Sequence, residues 1–264
     1  MTHYMNIFHA LLLGVVEGIT EFLPISSTAH LILTSKFLGL EQTEFQTFFE
    51  VFIQSGAILA VVFLYLRYVL EHKKALINIT LSFIPTAIVG LTLHKVIKTI
   101  FFNSNPLIIG SMVLVAILFL FVERRIRTKK LVLKKGLSEV TNYQALLIGL
   151  IQALAVVPGV SRAGIVMVFM MMLGYKRDES AKYSFLLAMP TIIAASALDL
   201  YQSKDILLAS SSMTSLLIVG FVTAFITAYV SVKWLLNYLQ NNTLVGFAYY
   251  RLLLAIIVII ALGI

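Results

Sequence analysis

The sequence has no cysteine among its 264 residues, and only 12% of them are charged. Without thiols there are no disulfides and no thiolate chemistry, and the redox compartment stays open. A soluble domain carries about a quarter of its residues as charges, so the shortage of charge excludes an ordinary globular chain. The strict apolar–polar alternation of a transmembrane barrel is also missing. What is present is hydrophobic: 60% of the residues, in long runs from end to end. Runs of about 20 apolar residues cross a bilayer as helices, because backbone in lipid must satisfy its own hydrogen bonds. The chain therefore reads as an all-α polytopic membrane protein. No cleavable targeting segment is expected at its start, since the first apolar run holds Glu17 and Glu21 and then a Pro-Ile-Ser-Ser turn. The formal net charge of +8 sits mostly in short loops between apolar segments, which argues for a membrane surface and against nucleic acid.

Six segments read as full spans: 47–68, 76–97, 106–123, 182–199, 212–235 and 246–263. Residues 4–37 and 143–174 are different. Each is broken near its middle by proline with serine or glycine beside it, and the pieces are short for a crossing at 1.5 Å per residue. They are either kinked spans or re-entrant helical hairpins. Loop charge decides. Arg67, Lys73 and Lys74, the run Arg124 to Lys135, and Lys176, Arg177 and Lys182 give thirteen basic residues, against Lys98 and Lys204 in the opposite loops. Two re-entrant hairpins put all thirteen on the cytoplasmic side, as the positive-inside rule requires, and leave both termini outside.

The two broken stretches also echo each other. Gly14-Val15-Val16-Glu17-Gly18 and Gly149-Leu150-Ile151-Gln152-Ala153 lie 135 positions apart, although aligning the prolines needs one gap. The expected architecture is an inverted-topology repeat, about 1–123 and about 143–264, joined by a basic cytoplasmic loop, 124–142. Such halves place a site where broken helices meet at the midplane.

The polar residues inside these apolar stretches are the candidate site. Glu17 and Glu21 share a helix face. Two carboxylates at membrane depth repel unless a cation lies between them; oxygen ligands suit Mg²⁺ or Ca²⁺, and an arginine would also serve. Pro24 ends the first helix. Ser26, Ser27 and Thr28 then open the next one, where hydroxyls cap free N–H groups and where those groups and the dipole favour phosphate. His30 follows within one turn and can act as base or nucleophile. In the second stretch Pro158 and Gly159 break the helix, and Ser161 and Arg162 open the next. The Arg162 fork can grip phosphate oxygens or neutralise Glu17 and Glu21. Gln54 and Gln152 are candidate cavity-lining amides, with Glu50 on the face of Gln54. The methionines Met167 and Met170 to Met172 read as packing, and Tyr249, Tyr250 and Arg251 as anchors at the cytoplasmic interface.

The stretches Glu17 to Leu31 and Pro158-Gly159-Val160-Ser161-Arg162 resemble the undecaprenyl-diphosphate phosphatase family, first noted for bacitracin resistance. Gln54 to Ala60 and Ser184 to Pro190 are secondary matches, and the likeness runs over nearly the whole chain. The resemblance implies a bacterial inner-membrane enzyme that removes the terminal phosphate of a C55 polyprenyl diphosphate for peptidoglycan synthesis. It implies a divalent cation and a site open to the outer face. Its functional positions fall on Glu17, Glu21, Ser26, Ser27, His30, Ser161 and Arg162. Where the family commonly continues Ser-Arg-Ser-Gly-Ala-Thr, this chain has Ser161-Arg162-Ala163-Gly164-Ile165-Val166, so two hydroxyls are absent; Ala29 stands where the family usually has glycine. The mechanism expected is attack by Ser27 with His30 as its base, with direct attack by His30, or water activated by His30 or Glu17, left open. A secondary transporter or flippase for a phosphorylated polyprenyl lipid would use the same broken helices. Whether the protein is a monomer or a homodimer stays open.

Overall fold

A computed structural model describes residues 5–41, 43–93, 104–202 and 211–262. The expectations that rest on Lys98 and Lys204, and on the far ends of the spans 76–97 and 246–263, lie outside the described residues.

Ten α-helices occur among the described residues: α1 Ile7–Thr20, α2 Ser27–Phe37, α3 Glu44–Glu71, α4 Lys73–Thr92, α5 Asn105–Arg127, α6 Asn142–Ala153, α7 Arg162–Met172, α8 Arg177–Gln202, α9 Ser211–Asn241 and α10 Val245–Leu262. Side chains set several starts. Asn6 accepts from the His9 N–H at 3.0 Å, Thr43 from Gln46, and Thr141 from Gln144 in a reciprocal box. Pro106 sits in the first turn of α5, where its missing N–H is harmless.

Five helices, α3, α4, α5, α8 and α9, are long and apolar enough to cross a membrane. They cover five of the six expected spans. The sixth, α10, is apolar but has only 18 residues, about 27 Å at the helical rise. The four pieces of the broken stretches are much shorter, with 14 and 11 residues in α1 and α2 and 12 and 11 in α6 and α7. None matches a hydrocarbon core of about 30 Å.

The two broken stretches pack by close backbone approach. Helix α1 lies along α9, and α6 along α4. A Cβ on Gly14 would sit 2.6 Å from the Gly220 carbonyl oxygen, and one on Gly149 only 2.1 Å from that of Ser82. Buried hydroxyls and amides then join the helices: Ser82 donates to the Ala145 carbonyl at 2.6 Å and Thr86 to that of Gly149 at 3.1 Å. Such interhelical bonds between small residues hold bundles together where lipid removes the hydrophobic drive.

Three of the basic loops gather at one end. Glu123, at the end of α5, takes both a 2.7 Å and a 2.5 Å bond from Arg177 at the start of α8, and also the Leu244 N–H at 2.9 Å. Lys74 reaches the Ser138 carbonyl, and Lys182 lies 3.8 Å over the Tyr68 ring. Arg251 is not in this group. It was expected at the interface, but it is fully buried between the two helix breaks. Four main-chain carbonyls there offer it more than the interface would. Tyr249 and Tyr250 are partly exposed, and the Tyr250 hydroxyl bonds His30.

Candidate active site

Both breaks use the same backbone device. Ser26 has φ 73° and ψ 91°, and Ser161, 135 positions later, has φ 68° and ψ 108°. A non-glycine residue held at positive φ is strained and persists only when its surroundings enforce it. The match continues without a gap: each serine precedes an 11-residue helix, and each helix ends in a leucine followed by a positive-φ glycine, Gly39 or Gly174. The gap needed to align the prolines lies before these serines.

The strained serines aim two helix starts at one cavity of about 220 Å³. Ser27 is the first residue of α2 and Arg162 the first of α7, and both line it. Free N–H groups and the positive dipole ends of two helices make the cavity favourable for an anion. Ser26 makes no side-chain cap bond, whereas the Ser161 hydroxyl accepts from the Gly164 N–H at 3.2 Å.

Glu21 is where the two breaks meet. Its Oε1 takes a 2.5 Å bond from Arg162, and its Oε2 a 2.5 Å bond from the Ser27 hydroxyl. The Glu21 and Arg162 side chains are only 9% and 12% exposed, so the pair is screened weakly. Such a pair gains little stability over apolar packing, because desolvation offsets the attraction. A substrate oxyanion could take over the guanidinium.

The other expected residues divide. Ser26, Thr28, Gln54, Gln152, Gly159 and Ser161 line the cavity with Glu21, Ser27 and Arg162. Gly159 has φ 91°, and a Cβ there would meet the Ser111 hydroxyl at 2.2 Å, so glycine is needed both for the turn and for the approach. Glu17 and His30 stand behind the lining. Glu17 is fully buried, one helical turn from Glu21, and among the described residues neither of its carboxylate oxygens has a hydrogen-bond partner. His30 is not joined to Ser27. Its Nδ1–H donates to the Ser26 carbonyl at 2.7 Å, and Nε2 accepts from the Tyr250 hydroxyl at 2.7 Å.

Two polar lining residues, Thr86 and Thr191, were not anticipated. Both hydroxyls accept from the Gln152 amide, at 3.0 and 3.1 Å. A signal was present, since each threonine directly follows a proline inside a long helix, Pro85 or Pro190. Arg251 was read as an interface anchor because adjacent aromatics and a cation look alike whether they face headgroups or a buried turn.

A divalent cation has a partial donor set here. Among the described residues no three His, Cys, Asp or Glu side chains converge as a ligand group. The two unpartnered oxygens of Glu17, with Glu21 one turn away, nevertheless form an oxygen-only set of the kind a hard cation takes. A cation there would fit the donor chemistry but would need further ligands from substrate or water, since both Glu21 oxygens already take hydrogen bonds from Arg162 and Ser27.

Residues 10–257 match the family described as bacitracin resistance protein BacA. The chain belongs to that family. Its relatives include an undecaprenyl-diphosphatase of Aquifex aeolicus, 41% identical over 253 residues that cover 96% of this chain and 97% of the relative. One from a Sulfurihydrogenibium species is 44% identical over 253 residues, with 96% and 98% covered. One from Campylobacter fetus is 41% identical over 262 residues, with 97% and 99% covered. The matched stretch, residues 10–257, includes both breaks.

Proposed function

We infer that this chain is an undecaprenyl-diphosphate phosphatase, which hydrolyses the lipid to undecaprenyl phosphate and inorganic phosphate and so recycles the carrier for cell-wall synthesis. Membership of the BacA family supports that activity. The single observation that carries the site is Glu21, which holds Ser27 from one break and Arg162 from the other, at 2.5 Å each, in the cavity wall.

The substrate keeps its polyprenyl tail in lipid, where burial is worth about 25 cal/mol per Å² of apolar surface, and its diphosphate enters the cavity. Arg162 and the N–H groups at the starts of α2 and α7 bind the phosphate oxygens. The Ser27 oxygen attacks the terminal phosphorus while the bond to the bridging oxygen breaks. Undecaprenyl phosphate leaves with that oxygen. The Ser27 proton passes to Glu21 Oε2, which already accepts it; His30, on the Ser26 carbonyl, is the second candidate for it. Water then cleaves the phosphoserine, restores the hydroxyl and releases phosphate. Glu17 and Glu21 would hold the divalent cation, Mg²⁺ or Ca²⁺, whose chemistry when bound is to offset charge on phosphate oxygens.

The finer topology belongs to the same proposal. We read six spans, with α10 as the sixth, and two re-entrant hairpins, α1–α2 and α6–α7, in halves of about 1–123 and 143–264. The matched backbone at Ser26 and Ser161 supports two repeats, and the gathering of basic loops at one end supports a cytoplasmic face there. The site then opens outward in the bacterial inner membrane, with both termini outside.

The test is phosphate release from a long-chain polyprenyl diphosphate by the purified protein in detergent, with and without Mg²⁺ or Ca²⁺. Release is expected, together with an acid-stable phosphoprotein that Ser27→Ala lacks. Normal single-turnover hydrolysis by Ser27→Ala sinks the covalent route. No release, with movement of the intact lipid across sealed vesicles, makes the protein a transporter instead.

A further inference from the structure

The two halves of the site come from hairpins far apart in sequence, and the Glu21–Arg162 bond alone is a weak means of aligning them, since substrate competes for the guanidinium. Something else must fix the separation of the two breaks. The side chain placed to do so is Arg251, on α10. It is fully buried, and among the described residues its hydrogen bonds all go to main-chain carbonyls. Nη1 donates to Pro24 in the first break at 3.2 Å. Nη2 donates to Gly159 at 2.6 Å and to Val160 at 3.3 Å in the second. Nε donates to Met112 of α5 at 3.2 Å.

The chemistry of this arrangement is specific. A broken helix leaves carbonyls without the N–H partners that a continuous helix would supply. In apolar surroundings each such orphan is costly. A guanidinium has donors fanned in one plane and can satisfy carbonyls from several directions at once; an ammonium is a point charge on a flexible stem. The neighbouring residue reaches the site too. The Tyr250 hydroxyl bonds His30, whose other nitrogen holds the Ser26 carbonyl, and the His30 and Tyr250 rings stack with centroids 5.6 Å apart. The strained Ser26, on which the aim of Ser27 depends, is thus braced from α10 through His30.

We propose that Arg251, helped by Tyr250, is a positioning residue that locks the two helix breaks in register, so that Ser27 and Glu21 face Arg162 across one diphosphate. Neither side chain lines the cavity, and both act through main-chain carbonyls and His30. This inference rests on the phosphatase reading of the same site.

Two measurements test it in the full-length protein. The first is steady-state hydrolysis of polyprenyl diphosphate by Arg251→Lys, Arg251→Met and Tyr250→Phe, scaled to folded protein by thermal unfolding. A displacement of about 1 Å at reacting groups costs about 100-fold in rate, so Arg251→Met is expected to lose about that factor in kcat. Arg251→Lys keeps the charge but not the fork, and is expected to lose at least about tenfold, with KM changed less than about threefold. Tyr250→Phe, lacking one hydrogen bond, is expected to lose about fivefold. The second is the distance between spin labels on Phe37→Cys and Met172→Cys, exposed ends of α2 and α7 at equivalent positions. The chain has no cysteine of its own, so these labels are unique. A shifted or broadened distance distribution is expected in Arg251→Lys. If Arg251→Met does not fold, Arg251→Lys and Tyr250→Phe carry the test. A residue that merely adds stability would lower the melting temperature and leave kcat per folded molecule and the label distances unchanged; that result overturns the proposal. Absence of phosphate release from the parent protein overturns the phosphatase reading instead, and leaves the distances to decide the positioning role.

Discussion

The two helix breaks have one backbone and two chemistries. Ser26 and Ser161 share a positive-φ conformation, and each opens an 11-residue helix that ends in Leu-Gly. At the matched positions of the first turn, Ser27 and Thr28 correspond to Arg162 and Ala163, and ten residues before Ser27, Glu17 corresponds to Gln152. A turn that presents N–H groups can bind an anion with almost any side chains. The side chains decide what else happens there. The first break carries carboxylates and hydroxyls, the groups that the proposed attack and cation binding would use, and the second carries a guanidinium, the group that would hold phosphate in the same proposal. A repeat that stays symmetric in backbone can thus divide labour in side chains.

The largest test of this division is to remove its two opposite members. Arg162→Ala and Glu21→Gln are each expected to lower kcat for phosphate release by about 10³-fold, the scale for losing a preorganised donor or its partner in a dry site. Removing one partner of a buried ion pair leaves the other charge unpaired and costs about 3–5 kcal/mol, so both rates are to be scaled to folded protein measured by thermal unfolding. Activity within tenfold of the parent in either variant would separate the two breaks functionally.

Next in size is packing. Gly14→Ala and Gly149→Ala probe the equivalent close approaches of α1 to α9 and of α6 to α4. Both meet main-chain atoms, but Gly149 has the shorter contact, 2.1 Å against 2.6 Å. Overpacking costs about 1–3 kcal/mol, with Gly149→Ala expected at the upper end and Gly14→Ala lower in a thermal-unfolding measurement. The reverse order would mean that the first hairpin is the more rigid of the two.

The smallest effect concerns Glu17, whose counterpart Gln152 carries an uncharged amide. Since neither Glu17 oxygen has a partner among the described residues, Glu17→Gln should fold normally. It should raise the Mg²⁺ or Ca²⁺ concentration needed for half-maximal rate by about tenfold. An unchanged cation titration assigns the cation to Glu21 and substrate alone.

Several of these features were legible in the chain. Apolar runs with few charges fixed the all-α membrane class, because lipid permits little else. Proline within a short apolar stretch marked both breaks, and polar residues too costly for lipid marked Glu21, Ser27 and Arg162. Other features were not. His30 looked like a partner for Ser27 from their spacing of three, yet spacing along a helix does not reveal that Ser26 O and Tyr250 already engage both ring nitrogens. Thr86 and Thr191 come from separate helices and meet only through Gln152.

The sequence by itself determined where helices must stop and which buried groups needed partners, since hydrophobic length and proline act locally. Only the tertiary structure decided which partners they found. Arg162 reaches Glu21 and Arg251 reaches Pro24 and Gly159 across gaps of 92 to 227 residues. A guanidinium will serve any carboxylate or carbonyl that packing brings within 3 Å or so, and packing is a property of the whole bundle.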